Sequence, residues 1–355
     1  MTGIEKSCFG LVLMLLIVLV LSYLPAAHQV QWFLRVAVPE IGWFFLLPGV
    51  PAAAYLARTY PKTGFFLLAT LITLVVIPWV QAMSVASQLQ ADWGRAFAKQ
   101  PDRYPLVLGK REGHLKTTIE YKPGLSWDKY TPIERPKAKL LFVHGGSWRN
   151  GTRDDYPQLF EYLAERGIEV ISPTYTLSGT APYPAAYNDI SAAIEQAYSP
   201  NIPLFVAGRS SGGHLALLCS YTHPDLVKGV IGIYPPVDMV WSYENPSNPA
   251  VLDSQEAIIQ FLTTTPGESP EKYENASPID RVHSEGPPTL LIHGRADCLV
   301  FHKQSEMLSQ RLDQLAVRRY LLTLPWMEHG GDVILGGPSG RLTAWAIEGF
   351  VDSLK

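Results

Sequence analysis

Pro203-Leu204-Phe205-Val206-Ala207 runs into Gly208-Arg209-Ser210-Ser211-Gly212-Gly213 and continues as His214-Leu215-Ala216-Leu217-Leu218-Cys219. An apolar strand, a glycine-rich turn and an apolar helix follow one another, with Ser210 at the apex. A strained strand-to-helix turn tolerates only small residues on either side of its centre, so the Gly-x-Ser-x-Gly spacing has a steric cause. The string alone arises by chance in many chains; its flanking strand and helix give it weight.

Outward from this turn, short apolar strands alternate with helices. Strands are expected at residues 116–121 (an edge), 139–143, 168–173, 203–207, 229–234, 289–292 and 320–324. Helices are expected at 156–166, 184–198, 213–222, 302–315 and 341–354. Such alternation implies an α/β architecture, a mostly parallel sheet with helices on both faces. Residues 235–286, rich in proline and polar groups, interrupt the rhythm and read as a partial cap over one end of the sheet.

A serine hydroxyl becomes a nucleophile when a base takes its proton, an acid orients the base and donors await the oxyanion. Each part has a candidate just past a strand's C-terminal end, where sites in open parallel sheets form. The 139–143 strand leads into His144-Gly145-Gly146-Ser147-Trp148, whose glycines can aim backbone N–H groups of Gly145 and Gly146 inward beside that of Ser211. The 289–292 strand ends in His293-Gly294-Arg295-Ala296-Asp297, and the last strand reaches Glu328-His329-Gly330. Ser210, Asp297 and His329 are therefore the expected nucleophile, acid and base, in that chain order. Asp238 is the rival acid, and His293 and His302 are the rival bases. Trp148 either packs under the glycine loop or lines the pocket. The glycines from Gly330 to Gly340 carry no Gly-Lys-Ser/Thr and read as a lead into the last helix rather than a phosphate loop.

These motifs, with Tyr183-Pro184-Ala185-Ala186 through Asp189 and Asp297 through Val300, make residues 111–355 resemble the α/β-hydrolase superfamily. The resemblance is nearest to hormone-sensitive-lipase-like esterases and to the neighbouring feruloyl-esterase-like and isoprenylcysteine-methylesterase-like group. It implies a serine carboxylesterase or lipase with no metal and no cofactor, and the apolar runs in the first 87 residues add the expectation of a small-molecule or lipid ester as substrate. The resemblance also implies that Asp189 braces the His144-Gly145-Gly146 loop. Two positions depart from the pattern: Ser147 replaces a frequent third glycine, and Thr176 stands where an arginine often follows the tyrosine at Tyr175. An acyltransferase using the same acyl-serine, and a non-catalytic membrane scaffold on this fold, are the alternative functions.

The first 87 of the 355 residues differ in kind, being nearly free of charge. Apolar runs at 8–24 and 65–86 are long enough to span a bilayer, and 41–57 reads as a kinked span or re-entrant segment because it holds Pro48, Gly49 and Pro51. A cleaved signal peptide is the alternative for the first run, though the later run would anchor the product anyway. The expected organisation is a transmembrane region at 1–87 with two or three helices, a juxtamembrane linker or partial cap at 88–110, and a hydrolase domain at 111–355, the soluble pattern being complete without the residues before about Gln88. Lysines and arginines divide almost evenly between the two sides, so they leave the orientation open. The formal net charge of −3 with no basic stripe gives nucleic-acid binding no support. The three cysteines, Cys8, Cys219 and Cys298, form neither a disulfide framework nor a zinc spacing.

Overall fold

The computed structural model describes residues 1–97, 104 and 113–355. The expected linker–domain boundary at 110–111 lies outside them, as do Lys99 and Arg103, two of the basic residues weighed for membrane orientation. Four helices come first: α1 (Gly3–Tyr23), α2 (Gln29–Ile41), α3 (Leu46–Thr59) and α4 (Pro61–Phe97), with a 3-10 turn at Gly42–Phe45 between α2 and α3. The strands are β1 (His114–Lys122), β2 (Leu125–Pro132), β3 (Ala138–Val143), β4 (Ile168–Pro173), β5 (Leu204–Arg209), β6 (Gly229–Ile233), β7 (Thr289–Gly294) and β8 (Arg319–Leu324). Interleaved with them are α5 (Pro157–Ala164), α6 (Ala185–Ala197), α7 (Ser211–Thr222), α8 (Met239–Glu244), α9 (Ser254–Leu262), α10 (Pro270–Asn275), α11 (Pro278–Arg281), α12 (Lys303–Gln314) and α13 (Pro338–Leu354).

The eight strands form one sheet in the order β1-β2-β4-β3-β5-β6-β7-β8. β2 pairs antiparallel with β1 and β4, and every other pairing is parallel. Alternate side chains of one strand enter opposite layers: Leu140 and Phe142 join one buried cluster, Leu141 and Val143 the other. Both faces are covered, which is why the parallel strands read as unbroken apolar runs. β2 has no counterpart among the sequence expectations. Its Leu-Ser-Trp-Asp-Lys-Tyr-Thr-Pro composition hides the pattern, because buried Asp128 faces Lys116, Arg153 and Thr118 rather than an apolar layer.

The N-terminal helices are not a separate appendage. Three segments, Gly3–Tyr23, Gln29–Thr59 and Pro61–Phe97, are long and apolar enough to cross a membrane, with mean hydropathies of 2.4, 1.4 and 2.2. Yet α4 runs past the expected boundary after residue 87 as one helix, and Ala82, Val85, Ala86, Leu89, Trp93 and Phe97 lie in the same buried cluster as the sheet. Trp93 is fully buried, its indole N–H donates to Ser353 Oγ at 2.9 Å, and Phe97 meets Phe350 edge-on at 5.0 Å. α2 also docks on the hydrolase domain through Arg35 and Glu40. The N-terminal 87 residues, expected to stand apart from the soluble pattern, thus pack on it through α2 and through Ala82, Val85 and Ala86 of α4. The apolar alternation alone could not show it, since a helix facing lipid and one facing a core both look hydrophobic.

Trp93→Ala should cost about 3–5 kcal/mol of stability in the full chain, by removing a buried indole. Phe66, 67% exposed on the outer face of the same helix, should tolerate alanine in detergent with little change. Thermal unfolding of both variants in one detergent checks this; equal losses would refute the packing described.

Candidate active site

β5 ends in a turn whose backbone is forced. Ser210 has φ 53° and ψ −126°, and its N–H is tied to Ile233 O on β6 at 2.9 Å. A Cβ on Gly208 would lie 2.2 Å from Gly212 O, and one on Gly212 would lie 2.2 Å from His144 O. Glycine at both positions is thus what lets the turn close and the loop after β3 press against it. The first N–H groups of α7, beginning at Ser211, have no acceptor within the helix and remain available to a ligand oxygen.

The loop after β3 is equally constrained. Gly146 has φ +118°, and a Cβ there would meet Asn150 O at 2.1 Å. Ser147 and Trp148 both hold left-handed φ values of 54° and 58°. A glycine at Ser147 would relax a strain on the order of 1 kcal/mol, the physical content of that departure from the resemblance. Tyr175 stacks on the His144 ring at 4.3 Å and its hydroxyl donates to His144 O. Trp148 lines the cavity, one of the two places expected for it, and stacks on Phe261 of α9 at 4.6 Å. Its N–H donates to His214 Nδ1, an imidazole kept neutral because burial lowers its pKa to about 4.

The structure brings Ser210, His329 and Asp297 together. His329 Nε2 lies 3.0 Å from Ser210 Oγ, and His329 Nδ1 lies 2.7 Å from Asp297 Oδ2. The other oxygen of Asp297 accepts from the Leu299 and Val300 N–H groups at 2.9 and 2.8 Å, which fixes the carboxylate's rotation. Burial works against the imidazolium, but the Asp297 carboxylate outweighs it, and His329 titrates above the ordinary imidazole value. Burial would likewise raise Asp297, but His329 and His293 hold it well below the usual carboxylate range. Next to this trio, Arg209 and Asp332 form a buried ion pair, Tyr234 donates to Asp332 at 2.6 Å, and the Tyr234 ring packs 4.4 Å from that of His329.

The rival residues are occupied elsewhere. Asp238 caps α8 by accepting from Trp241 N–H at 2.9 Å. His293 is fully buried, its Nδ1 on Ser305 Oγ and its Nε2 2.8 Å from Val300 O and 3.3 Å from Asp297 Oδ2, so it contacts the acid but makes no bond to Ser210. His302 bonds Glu306 and Thr323. Asp189 departs from the role the resemblance implied. Its carboxylate accepts from Thr176 N–H at 2.8 Å and pairs with Lys122, so it holds the strand end that carries Tyr175 and reaches the His144 loop only through that tyrosine. No group of metal-binding side chains occurs among the described residues.

Ser210, Gly145, Gly146, Ser211 and His329 all face one cavity of about 470 Å³. Part of its wall was not foreseen: Gln29, Trp32, Phe33 and Val36 of α2 line it, one helix face at i, i+3, i+4 and i+7. Sequence reasoning also missed Arg35 and Glu328, which pair at 2.7 Å beside the trio. A signal for Arg35 existed, since a charge in a nearly uncharged apolar region is a functional hypothesis by default.

His329 should titrate above the ordinary imidazole value, and Asp297→Asn should bring its midpoint down, because the carboxylate is what stabilises the cation. Histidine-selective NMR across a pH series tests this, and an unchanged midpoint in the variant would show the pair uncoupled.

The profile of the BD-FAE family matches residues 128–312. Esterase LipC of Mycobacterium tuberculosis is 31% identical over 253 residues, 64% of this chain and 61% of that protein. Esterase LipQ of the same organism is 29% identical over 280 residues, 72% of this chain and 63% of that one. The chain thus spans about three fifths of the length of these curated relatives. Among solved structures, the hyperthermophilic esterase from the archaeon Pyrobaculum calidifontis superposes with a TM-score of 0.60 at 21% identity, covering 78% of this chain and 97% of that one. Brefeldin A esterase, a bacterial homologue of human hormone-sensitive lipase, superposes with a TM-score of 0.57 at 18% identity, over 77% and 85%. The family profile covers more than half of the sequence and the sheet has the matching topology, so the chain belongs to the BD-FAE family and has the α/β-hydrolase fold.

Proposed function

We propose that this protein is a membrane-anchored serine hydrolase that cleaves carboxylic esters through an acyl-serine intermediate. The observation that carries the reading is the continuous relay Ser210–His329–Asp297 at 3.0 and 2.7 Å. Ser210 Oγ attacks the ester carbonyl carbon as its proton passes to His329 Nε2. The oxyanion is held by N–H groups of Gly145, Gly146 and Ser211, and Asp297 stabilises the imidazolium. Collapse breaks the bond to the alkoxide, which leaves with the proton from His329. A water then repeats the sequence, returning the acid product and free Ser210.

The site's surroundings favour an ester with an apolar chain. The cavity wall includes Trp32, Phe33 and Val36, and the rim residues Phe33, Phe301 and Val333 are 56%, 36% and 45% exposed. Exposed apolar groups around a pocket mouth suit contact with lipid or with a lipophilic substrate. Three crossings, by α1, by the Gly42–Phe45 turn and α3 at the end of the Gln29–Thr59 segment, and by α4, fit the helix lengths. In this arrangement the end of α1 and the whole of α2 lie against the hydrolase domain, as the bonds from Arg35 to Leu24 O and from Asn248 to Ala26 O indicate. The turn between α3 and α4 then lies on the opposite side of the bilayer.

Ser210→Ala should lower turnover of nitrophenyl esters on the order of 10⁶-fold and abolish fluorophosphonate labelling. More than a few per cent of residual rate in a clean preparation would remove Ser210 from the mechanism. Asp297→Asn should cost on the order of 10⁴ in kcat with little change in KM. Asp238→Asn should leave kcat near wild type, since its carboxylate only caps a short helix. The opposite pattern between these two would reassign the acid.

A further inference from the structure

Arg35 is 8% exposed and makes three contacts outside its own helix. Its Nε lies 2.7 Å from Glu328 Oε2, Nη2 donates to Ala296 O at 2.8 Å, and Nη1 donates to Leu24 O at 2.6 Å. Ala296 and Glu328 are the residues immediately before Asp297 and His329. Glu328, 1% exposed, uses its other oxygen to accept from Cys298 N–H at 2.7 Å and from His329 N–H at 3.1 Å. The pair therefore grips Asp297 at both neighbouring peptides, and His329 at its own amide.

Stability does not account for this arrangement. Removing two charges from water costs about as much as their attraction returns, and apolar replacements of such pairs are commonly neutral or better. What an ion pair adds that packing does not is direction. Arg35 Nη1 and Nη2 donate along fixed vectors to Leu24 O and Ala296 O, while one Glu328 oxygen accepts an N–H from each loop and the other faces the guanidinium. The pairing of β7 with β8 sets the start of the two loops, but Asp297 and His329 lie three and five residues beyond its last paired positions, Gly294 and Leu324.

We infer that Arg35 and Glu328 are positioning residues that hold the two loops in register, so that ester hydrolysis depends on α2 being docked. The inference rests on the serine-hydrolase reading above and extends it: a helix outside the hydrolase sheet, continuous with a membrane segment, completes the active site. Neither side chain touches the reacting atoms. Their effect passes through the backbone of Ala296, Cys298 and His329.

The test uses the full chain in detergent micelles, a water-soluble short-chain ester and a fluorophosphonate probe. Arg35→Met should lower kcat about 100-fold, the usual penalty for a misplacement near 1 Å, with KM within about twofold. The double variant Arg35→Met with Glu328→Gln strands no buried charge and keeps an acceptor for Cys298 and His329. It should unfold close to the wild-type temperature, yet its kcat should stay at least about tenfold low. The second-order labelling rate constant should fall in parallel in both variants. It is read only on molecules that label, so a loss of folded protein does not imitate the effect. Wild-type kcat in the folded double variant would overturn the inference, and so would a loss confined to KM, which would make α2 a pocket wall only. If the unmodified chain neither hydrolyses esters nor labels, the serine-hydrolase reading fails instead, and the outcome is distinguishable for that reason.

Discussion

The site depends on one close approach of backbone to backbone. The start of α7 sits against the end of β3 so tightly that a methyl group on Gly212 would fall 2.2 Å from His144 O and 2.3 Å from Val143 O. That contact sets the distance between the Ser210 hydroxyl and the N–H groups of the neighbouring loop. It also requires the left-handed φ at Ser210, because only a sharp reversal brings the helix back over the adjacent strand. The bond from Ser210 N–H to Ile233 O then fastens the turn to β6, and the parallel order of the sheet carries β7 and β8 to the same edge.

How far the sequence could be read followed the range of the interactions involved. The turn at Gly208–Gly213, the glycine loop and the strands before Asp297 and His329 are local patterns, and their steric causes are visible in a few consecutive residues. β2 was hidden because its inward groups include Asp128, whose burial is possible only with Lys116 and Arg153 from other parts of the chain. The bracing of the His144 loop was legible in outline but wrong in its agent. Tyr175 makes the contact and Asp189 secures the backbone behind it.

The domain boundary illustrates a different limit. Hydropathy reports that a residue avoids water and says nothing about what replaces the water. Leu71 and Leu89 are both fully buried, the first among the N-terminal helices and the second against the sheet. Likewise Arg35 and Glu40 interrupt an apolar stretch because they meet partners more than 200 positions later in the chain: Ala296 and Glu328 for one, Ser339 for the other.

The unbroken course of α4 has a mechanical consequence. A helix that runs from among the apolar helices into the packing of Trp93 and Phe97 against α13 joins the two parts without an intervening loop, Pro78 being its one interior proline, and α2 adds a second attachment. In the proposed membrane setting the nucleophile would sit at a constant height above the bilayer midplane, unlike that of an enzyme on a flexible stalk. Such a geometry would sort substrates by depth: an ester bond would be reached when its own position along the membrane normal matched that height, whatever the length of the chain attached to it.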